Sequence, residues 1–228
     1  MKEMRFFGGK SENIMNVLID AKNRFFSSKH QKTVKKWKEL NKDERLRLNC
    51  PNLDGNSIVF DLGGYKGQWA SDIYSKYNCT ICVFEPVREF YEFIKERFKN
   101  NWKIRVFNFG LASSNRKEVI FLNEDGSSLY GKGKRETINL FDFEEFLKKE
   151  KIKKINLVKS NIEGAEYELL EYLISKGVMK NIEVLEIQFH RNIRDYLKRY
   201  KRIRNNLKNT HHLKYSFPFV WESWVLKE

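Results

Sequence analysis

The sequence predicts an α/β fold, a doubly wound and mostly parallel sheet with helices on both faces, preceded by a helical extension. Three observations predict it. Short runs rich in Val, Ile and Phe alternate with amphipathic segments from residue 57 onward, the pattern of repeated βα units. Such units require right-handed crossovers, which build a parallel sheet covered on both sides. Most of the polar, acidic and glycine-rich motifs fall at the carboxyl ends of the predicted strands, where sheets of this kind bind ligands. Of these, NLVKSNIEGAE, Asn156 to Glu166, packs Asn161, Glu163 and Glu166 around a glycine.

The elements follow in order. Residues 11–49 read as polar helix, with Ile14, Val17, Leu18 and then Val34, Trp37, Leu40 at helical spacing. The turn-rich CPNLDGNS, Cys50 to Ser57, separates an extension (1–56) from the main domain (57–228). The first strand is SIVFDL (57–62), the first helix 68–77, the second strand TICVFE (80–85) and the second helix 87–98, with Pro86 at its entry. KIRVFNFGL (103–111) reads as the third strand. A less regular middle holds short strands at 118–122 and 136–140 around a loop, GSSLYGKG (126–133), and then a helix at 141–150. Strand 154–160, helix 164–176, strand 182–190 and a basic helix at 192–206 lead to two aromatic-rich strands at the end, on either side of Phe217 to Phe219.

Composition narrows the function classes. The 228 residues are 41% apolar, enough for one substantial core, and no apolar run approaches a bilayer span. The N-terminus lacks a secretory pattern, so a cytoplasmic protein is expected. Net charge is +14, from 44 basic and 30 acidic residues, with basic clusters at Lys29 to Lys42 and Arg191 to Lys208. Such a balance suits nucleic acid, an anionic surface or an acidic small substrate. Cys79 and Cys82 form a CxxC, but no second Cys/His pair follows at metal spacing, and buried reduced thiols are the simpler reading.

Chemistry concentrates at three strand ends. Asp61 closes the first strand, and Gly63, Gly64 and Gly67 form the turn after it. Glycines there permit close approach of backbone to a ligand, although D-x-G-G-x-x-G does not match the dinucleotide fingerprint. Glu85 closes the second strand, 24 residues beyond Asp61, where a carboxylate can accept both hydroxyls of a ribose. A surface glutamate favoured by the dipole of the following helix is the alternative. Together with the region after residue 156 these ends suggest a nucleoside-type cofactor.

DLGGYKG, VFEP, VFNFGLASS, the GSSLY loop and LVKSNIEGAEYELL together resemble the FkbM-type S-adenosylmethionine-dependent methyltransferases, over roughly residues 57–190. The resemblance implies a class I methyltransferase (Rossmann-like) fold with seven strands, the last antiparallel. It implies S-adenosyl-L-methionine as cofactor and O-methylation, commonly of sugars or polyketide-like hydroxyls. Carried over, Asp61, Gly63, Gly64 and Gly67 would line the methionine and ribose part. Glu85, with Pro86 after it, would hold the ribose hydroxyls. Asn108, Leu111 and Ala112 would lie near the adenine. The family usually has Asp where Asn161 stands and often Glu where Gln188 stands.

Methyl transfer to an alcohol needs alignment and a means of removing the hydroxyl proton. His190 ends a strand beside the one that leads to Asn161, so it is a candidate base, with a structural histidine as the alternative. Catalytic candidates are therefore His190, Asn161 and Glu163. A divalent ion (magnesium, manganese or iron) held by Asn161, His190 and Glu186 or Glu163 would activate the hydroxyl instead. The expected acceptor is an anionic small molecule or carbohydrate such as a nucleotide-sugar, in capsule or other surface-polysaccharide biosynthesis. RNA methylation is the alternative, disfavoured because no appended RNA-binding module is visible. A non-catalytic polyanion-binding module on the same fold is a third reading, and the intact Asp61, glycine turn and Glu85 argue against it.

Overall fold

The apolar runs at Ile58, Thr80, Ile155 and Ile182 become the buried centre of a sheet in the computed structural model, which describes residues 28, 30–40, 42–123, 126–128 and 134–228. A helix over 30–39 (α1) and a π-helical turn at Asp43–Arg47 precede β1 (Ile58–Leu62). Then follow α2 (Gln68–Tyr77), β2 (Thr80–Phe84), α3 (Arg88–Arg97) and β3 (Ile104–Phe107). The middle contains β4 (Gly110–Ala112), β5 (Arg116–Asn123), β6 (Gly126–Ser128), β7 (Lys134–Asp142) and α4 (Phe143–Lys149). The last part runs β8 (Ile155–Ser160), α5 (Glu166–Ser175), a 3-10 turn at Val178–Asn181, β9 (Ile182–Ile187), α6 (Tyr196–Leu207), β10 (His211–Phe217) and β11 (Trp221–Leu226).

The main sheet has seven strands in the order β10-β11-β9-β8-β1-β2-β3. All its central pairs are parallel, and β11 runs antiparallel to both neighbours. The chain winds outward from β1 to β3, then returns to β8 on the other side of β1. The gap between β1 and β8 is therefore the switch point, where the connections leave in opposite directions and a crevice opens.

The pleat divides the core in two. Phe60, Leu62, Cys82, Phe84 and Val158 pack with Phe143, Phe146, Leu170 and Ile203 of α4, α5 and α6. Val59, Ile81, Val83 and Leu157 pack with Ala70, Ile73 and Ile94 of α2 and α3. Cys82 lies in the first cluster and Cys79 in the second, and burial pushes their thiols up to about 12 and about 11. Both therefore stay protonated and inert at neutral pH.

Two features differ from the sequence reading. The expected strand 103–111 is two strands in two sheets. Asn108 marks the break, its side-chain amide donating to the carbonyls of Glu85 and Pro86 (both 3.1 Å), and the chain leaves the main sheet there. The less regular middle forms a second sheet, β4-β7-β5-β6, with β6 inside the expected loop; residues 129–133 of that loop lie outside the described residues.

The expected helical extension falls within the described residues only at α1 and the π-helical turn. Trp37 is buried there against Val220 and Trp221 and meets Phe217 edge-on at 5.1 Å. The Arg47 guanidinium sits 3.7 Å over the Trp221 ring. This segment thus docks on the β10–β11 hairpin. Among the described residues no helix is long and apolar enough to cross a membrane.

Candidate active site

The carboxyl ends of β1, β2 and β8 open into a cavity of about 230 Å³, roofed by the second sheet. Its floor comes from Leu62, Gly63, Glu85 and Asn161, and its roof from Glu118, Ile120, Ile138 and Leu140. The roof residues alternate along β5 and β7, so the two-residue strand period turns them to one face.

The glycine turn is shaped by its neighbours. Gly63 has φ +79°, and a Cβ there would stand 2.2 Å from the carbonyl oxygen of Asn161. Only glycine lets the first turn lie against the end of β8. At Gly64 a Cβ would meet Val83 at 2.3 Å, so that glycine serves the packing of the turn on β2. Gly67, at φ +72°, starts α2. Asp61 is fully buried: Lys159 Nζ lies 2.8 Å from its Oδ1 and donates also to the Gly63 carbonyl at 2.7 Å. The other oxygen, Oδ2, is buried without a partner. In-register pairing of Asp61 with Lys159 and of Lys159 with Glu186 runs a polar row across the sheet.

Glu85 is 4% exposed. Its Oε2 accepts from the Tyr65 backbone N–H (2.8 Å) and its Oε1 from that of Val87 (3.0 Å). Burial outweighs those bonds and pushes its carboxyl up to about 7. A carboxyl so perturbed by burial in a cavity wall is a candidate site residue. Tyr65, itself at φ +51°, stacks edge-on with Phe90 at 4.7 Å beside it.

At the end of β8, Asn161 lines the cavity and its Oδ1 is buried without a partner. Glu163 lines it too and is 39% exposed. His190 stands behind, with Nε2 3.5 Å from Glu163 and Nδ1 3.1 Å from Glu166. Burial works against its charge, but the two carboxylates win and raise the imidazole to about 9. The ring is an imidazolium at neutral pH.

The cavity thus gathers Gly63, Glu85, Pro86, Leu111, Asn161 and Glu163 of the expected site residues. Asp61, Gly64, Gly67, Asn108 and Ala112 are not among the lining residues; Asp61, Gly64 and Asn108 act behind them through the contacts already named. His190 is likewise behind Glu163 and offers no free lone pair.

The metal expectation finds no support among the described residues. Glu186 shares the sheet face of Asp61 and Lys159, bonded to the Tyr215 hydroxyl (3.3 Å) with Arg47 at 3.9 Å. His190 turns instead toward α5 and Glu166. Asn161, Glu186 and His190 therefore do not converge on one point, and among the described residues no three His, Cys, Asp or Glu side chains form a cluster that could hold an ion.

Sequence reasoning gave Lys159 no role and read the roof only as short strands of a less regular middle. Alternation of Glu118 with Ile120 and of Ile138 with Leu140 was the available signal for the roof. For Lys159, an isolated cation inside an apolar strand was itself the sign of a buried partner.

Comparison with known proteins adds the family. No curated protein matches the sequence. Among solved structures, the chain is similar to the METTL16 MTase domain at 11% identity and TM-score 0.51, over 83% of this chain and 68% of that one. It is similar also to a chain of the fibrillarin/Nop5p complex (13%, TM-score 0.48, 77% and 75%) and to M. capricolum TrmK in complex with S-adenosyl-homocysteine (13%, 0.45, 79% and 66%). The first of these likenesses shows the class I methyltransferase-like fold. Residues 61–209 match the methyltransferase FkbM domain, a span that holds the end of β1, the glycine turn, Glu85, the roof, Glu163 and His190. With well over half of its length inside that match, the chain belongs to the FkbM family of S-adenosylmethionine-dependent methyltransferases.

Proposed function

We propose that this protein methylates a hydroxyl group of a carbohydrate, with S-adenosyl-L-methionine as donor and a nucleotide-sugar or surface-polysaccharide precursor as acceptor. The observation that carries the reading is the charge of the cavity. Glu85, Glu118 and Glu163 line it, and no Lys, Arg or His does among the described residues. A lining of carboxyl groups with no cation among them suits a polyol, whose hydroxyls donate, and opposes a phosphate inside. The basic side chains stand elsewhere, with Lys198 and Lys201 exposed on α6 and Lys32, Lys35 and Lys38 on or near the surface of α1. An acceptor that is neutral at its reacting end and anionic beyond it, made in the cytoplasm, matches that division.

The residues fit the cofactor. Glu85 presents a carboxylate whose protein partners are two backbone N–H groups, leaving lone pairs for two ribose hydroxyls. Gly63 and Gly110 give room where a Cβ would strike Asn161 and Leu140. The unpartnered Asn161 Oδ1, at the cavity wall, supplies an acceptor for an ammonium near the glycine turn. Leu111, Ile120, Ile138 and Leu140 offer an apolar bed for a base. When bound, the cofactor supplies an electrophilic methyl group. The protein's own work is to align the acceptor oxygen, exclude water beneath the second sheet and take up a proton.

The +14 charge supports a second reading, methylation of RNA, and one experiment separates the two. S-adenosylhomocysteine release is measured from purified protein given S-adenosylmethionine and pooled nucleotide-sugars, and in parallel bulk RNA. Release with the sugars alone is expected. Release with RNA alone would replace the carbohydrate.

A further inference from the structure

The turn after β8 holds a conformation that its sequence resists. Glu163 has φ +55° and Gly164 φ +110°. The left-handed region costs a residue with a Cβ about 1 kcal/mol, so the surroundings must impose it. The Gly164 N–H donates to Glu166 Oε2 at 2.8 Å. The Asn192 amide donates to the Glu163 carbonyl at 3.1 Å. A Cβ on Gly164 would come within 2.8 Å of Ile193 and 3.0 Å of Asn192, so the segment after His190 presses directly on the turn. His190 completes the set, its ring between the carboxylates of Glu163 and Glu166 and its backbone N–H donating to Glu166 Oε1 at 2.7 Å. The Tyr167 hydroxyl fixes the His190 carbonyl at 2.7 Å. Glu166 is fully buried and both its oxygens are engaged; Glu163 alone of the three reaches the cavity.

We propose that Glu163 is the catalytic residue that takes the acceptor's hydroxyl proton, and that Glu166, His190 and Asn192 are positioning residues that aim its carboxylate into the cavity. The proposal rests on the reading of the reaction as methyl transfer to a hydroxyl. As the acceptor oxygen bonds the methyl carbon, the electron pair of the broken carbon–sulfur bond stays on sulfur. The hydroxyl proton passes to a Glu163 oxygen and from its exposed side to solvent. His190 keeps both its protons throughout, donating one toward each carboxylate.

The test uses the full chain with histidine-selective 15N labelling, S-adenosylhomocysteine calorimetry, and turnover on whichever of the two acceptor pools above the wild type methylates. In the wild type at neutral pH both His190 ring nitrogens are expected to carry protons. In Glu163→Gln the ring should titrate about one pH unit lower, with S-adenosylhomocysteine affinity kept and turnover reduced about 100-fold. His190→Asn should lower kcat about tenfold with little change in the cofactor KM. A neutral His190 ring in the wild type, an unchanged ring titration in Glu163→Gln, or near-normal turnover by that variant would each overturn the proposal. Loss of cofactor binding by Glu163→Gln would overturn it too, by assigning the residue to the cofactor. A wild type that binds no S-adenosylhomocysteine would instead break the methyl-transfer reading, and the ring titration would still report whether the set exists.

Discussion

Two buried carboxylates stand at strand ends on either side of the switch point, and they are held in opposite ways. Glu85, after β2, has backbone N–H groups for partners and, among the described residues, no salt bridge, and its carboxyl is pushed up to about 7. Glu166, after β8, is equally buried but faces a built-in imidazolium. Where the chain supplies the countercharge, the carboxylate is part of a fixed scaffold. Where it leaves the carboxylate to backbone donors alone, burial wins and the carboxyl is pushed toward its protonated form.

Glu166→Ala should break this contrast most severely. It strips His190 of its buried partner and releases the Glu163–Gly164 turn, at a cost of about 4 kcal/mol in folding free energy, measured by urea unfolding. The pH profile of stability comes next. His190 is raised above its unfolded value of 6.5, so its contribution is complete below pH 6.5 and is lost as pH rises through about 9. The loss should total roughly 3 kcal/mol and vanish in His190→Asn. Glu85 obeys the same sign in another window. The folded site favours its protonated form, so stability falls between pH 4.5 and about 7, and Glu85→Ala should remove that slope.

Glu85→Ala should also weaken S-adenosylhomocysteine binding about 100-fold, the worth of two hydrogen bonds to a charged acceptor, with the fold intact by circular dichroism. Unchanged affinity would move the ribose elsewhere. The smallest effect sharpens the comparison furthest. If the ionised form of Glu85 receives the ribose, affinity should fall about tenfold from pH 8 to pH 6, as the carboxylate protonates through about 7. Calorimetry in buffers of different ionisation heat should register the proton released on binding.

Much of this arrangement was legible in the chain. Helix α2 occupies the residues its apolar spacing predicts, and β1, β2, β8 and β9 lie within the predicted runs, because a strand buried on both faces needs an apolar run that few other elements use. Asp61, the glycine turn and Glu85 stood out for the same reason: polar residues and glycines ending such a run are out of place unless the strand ends at a crevice. The third strand misled because β3 and β4 form one apolar segment, and the side-chain bond that turns the chain at Asn108 reaches 22 and 23 residues back.

The role of His190 lay beyond any local pattern. Its ring chemistry depends on Glu163 and Glu166, 27 and 24 residues earlier, brought beside it by the parallel pairing of β8 with β9. Whether Glu186 and His190 share a side is likewise decided by where the strand ends and the chain turns. The sequence by itself determined the main order of strands and helices, the edge at which glycines and polar residues gather and the acidic residues available there, since periodicity and strand-end chemistry are local. Only the tertiary structure decided which carboxylate is neutralised, which is left open to the cavity and what roofs it. Those depend on charge, burial and distance between groups far apart in the chain, and electrostatic energy is set by that geometry rather than by sequence spacing.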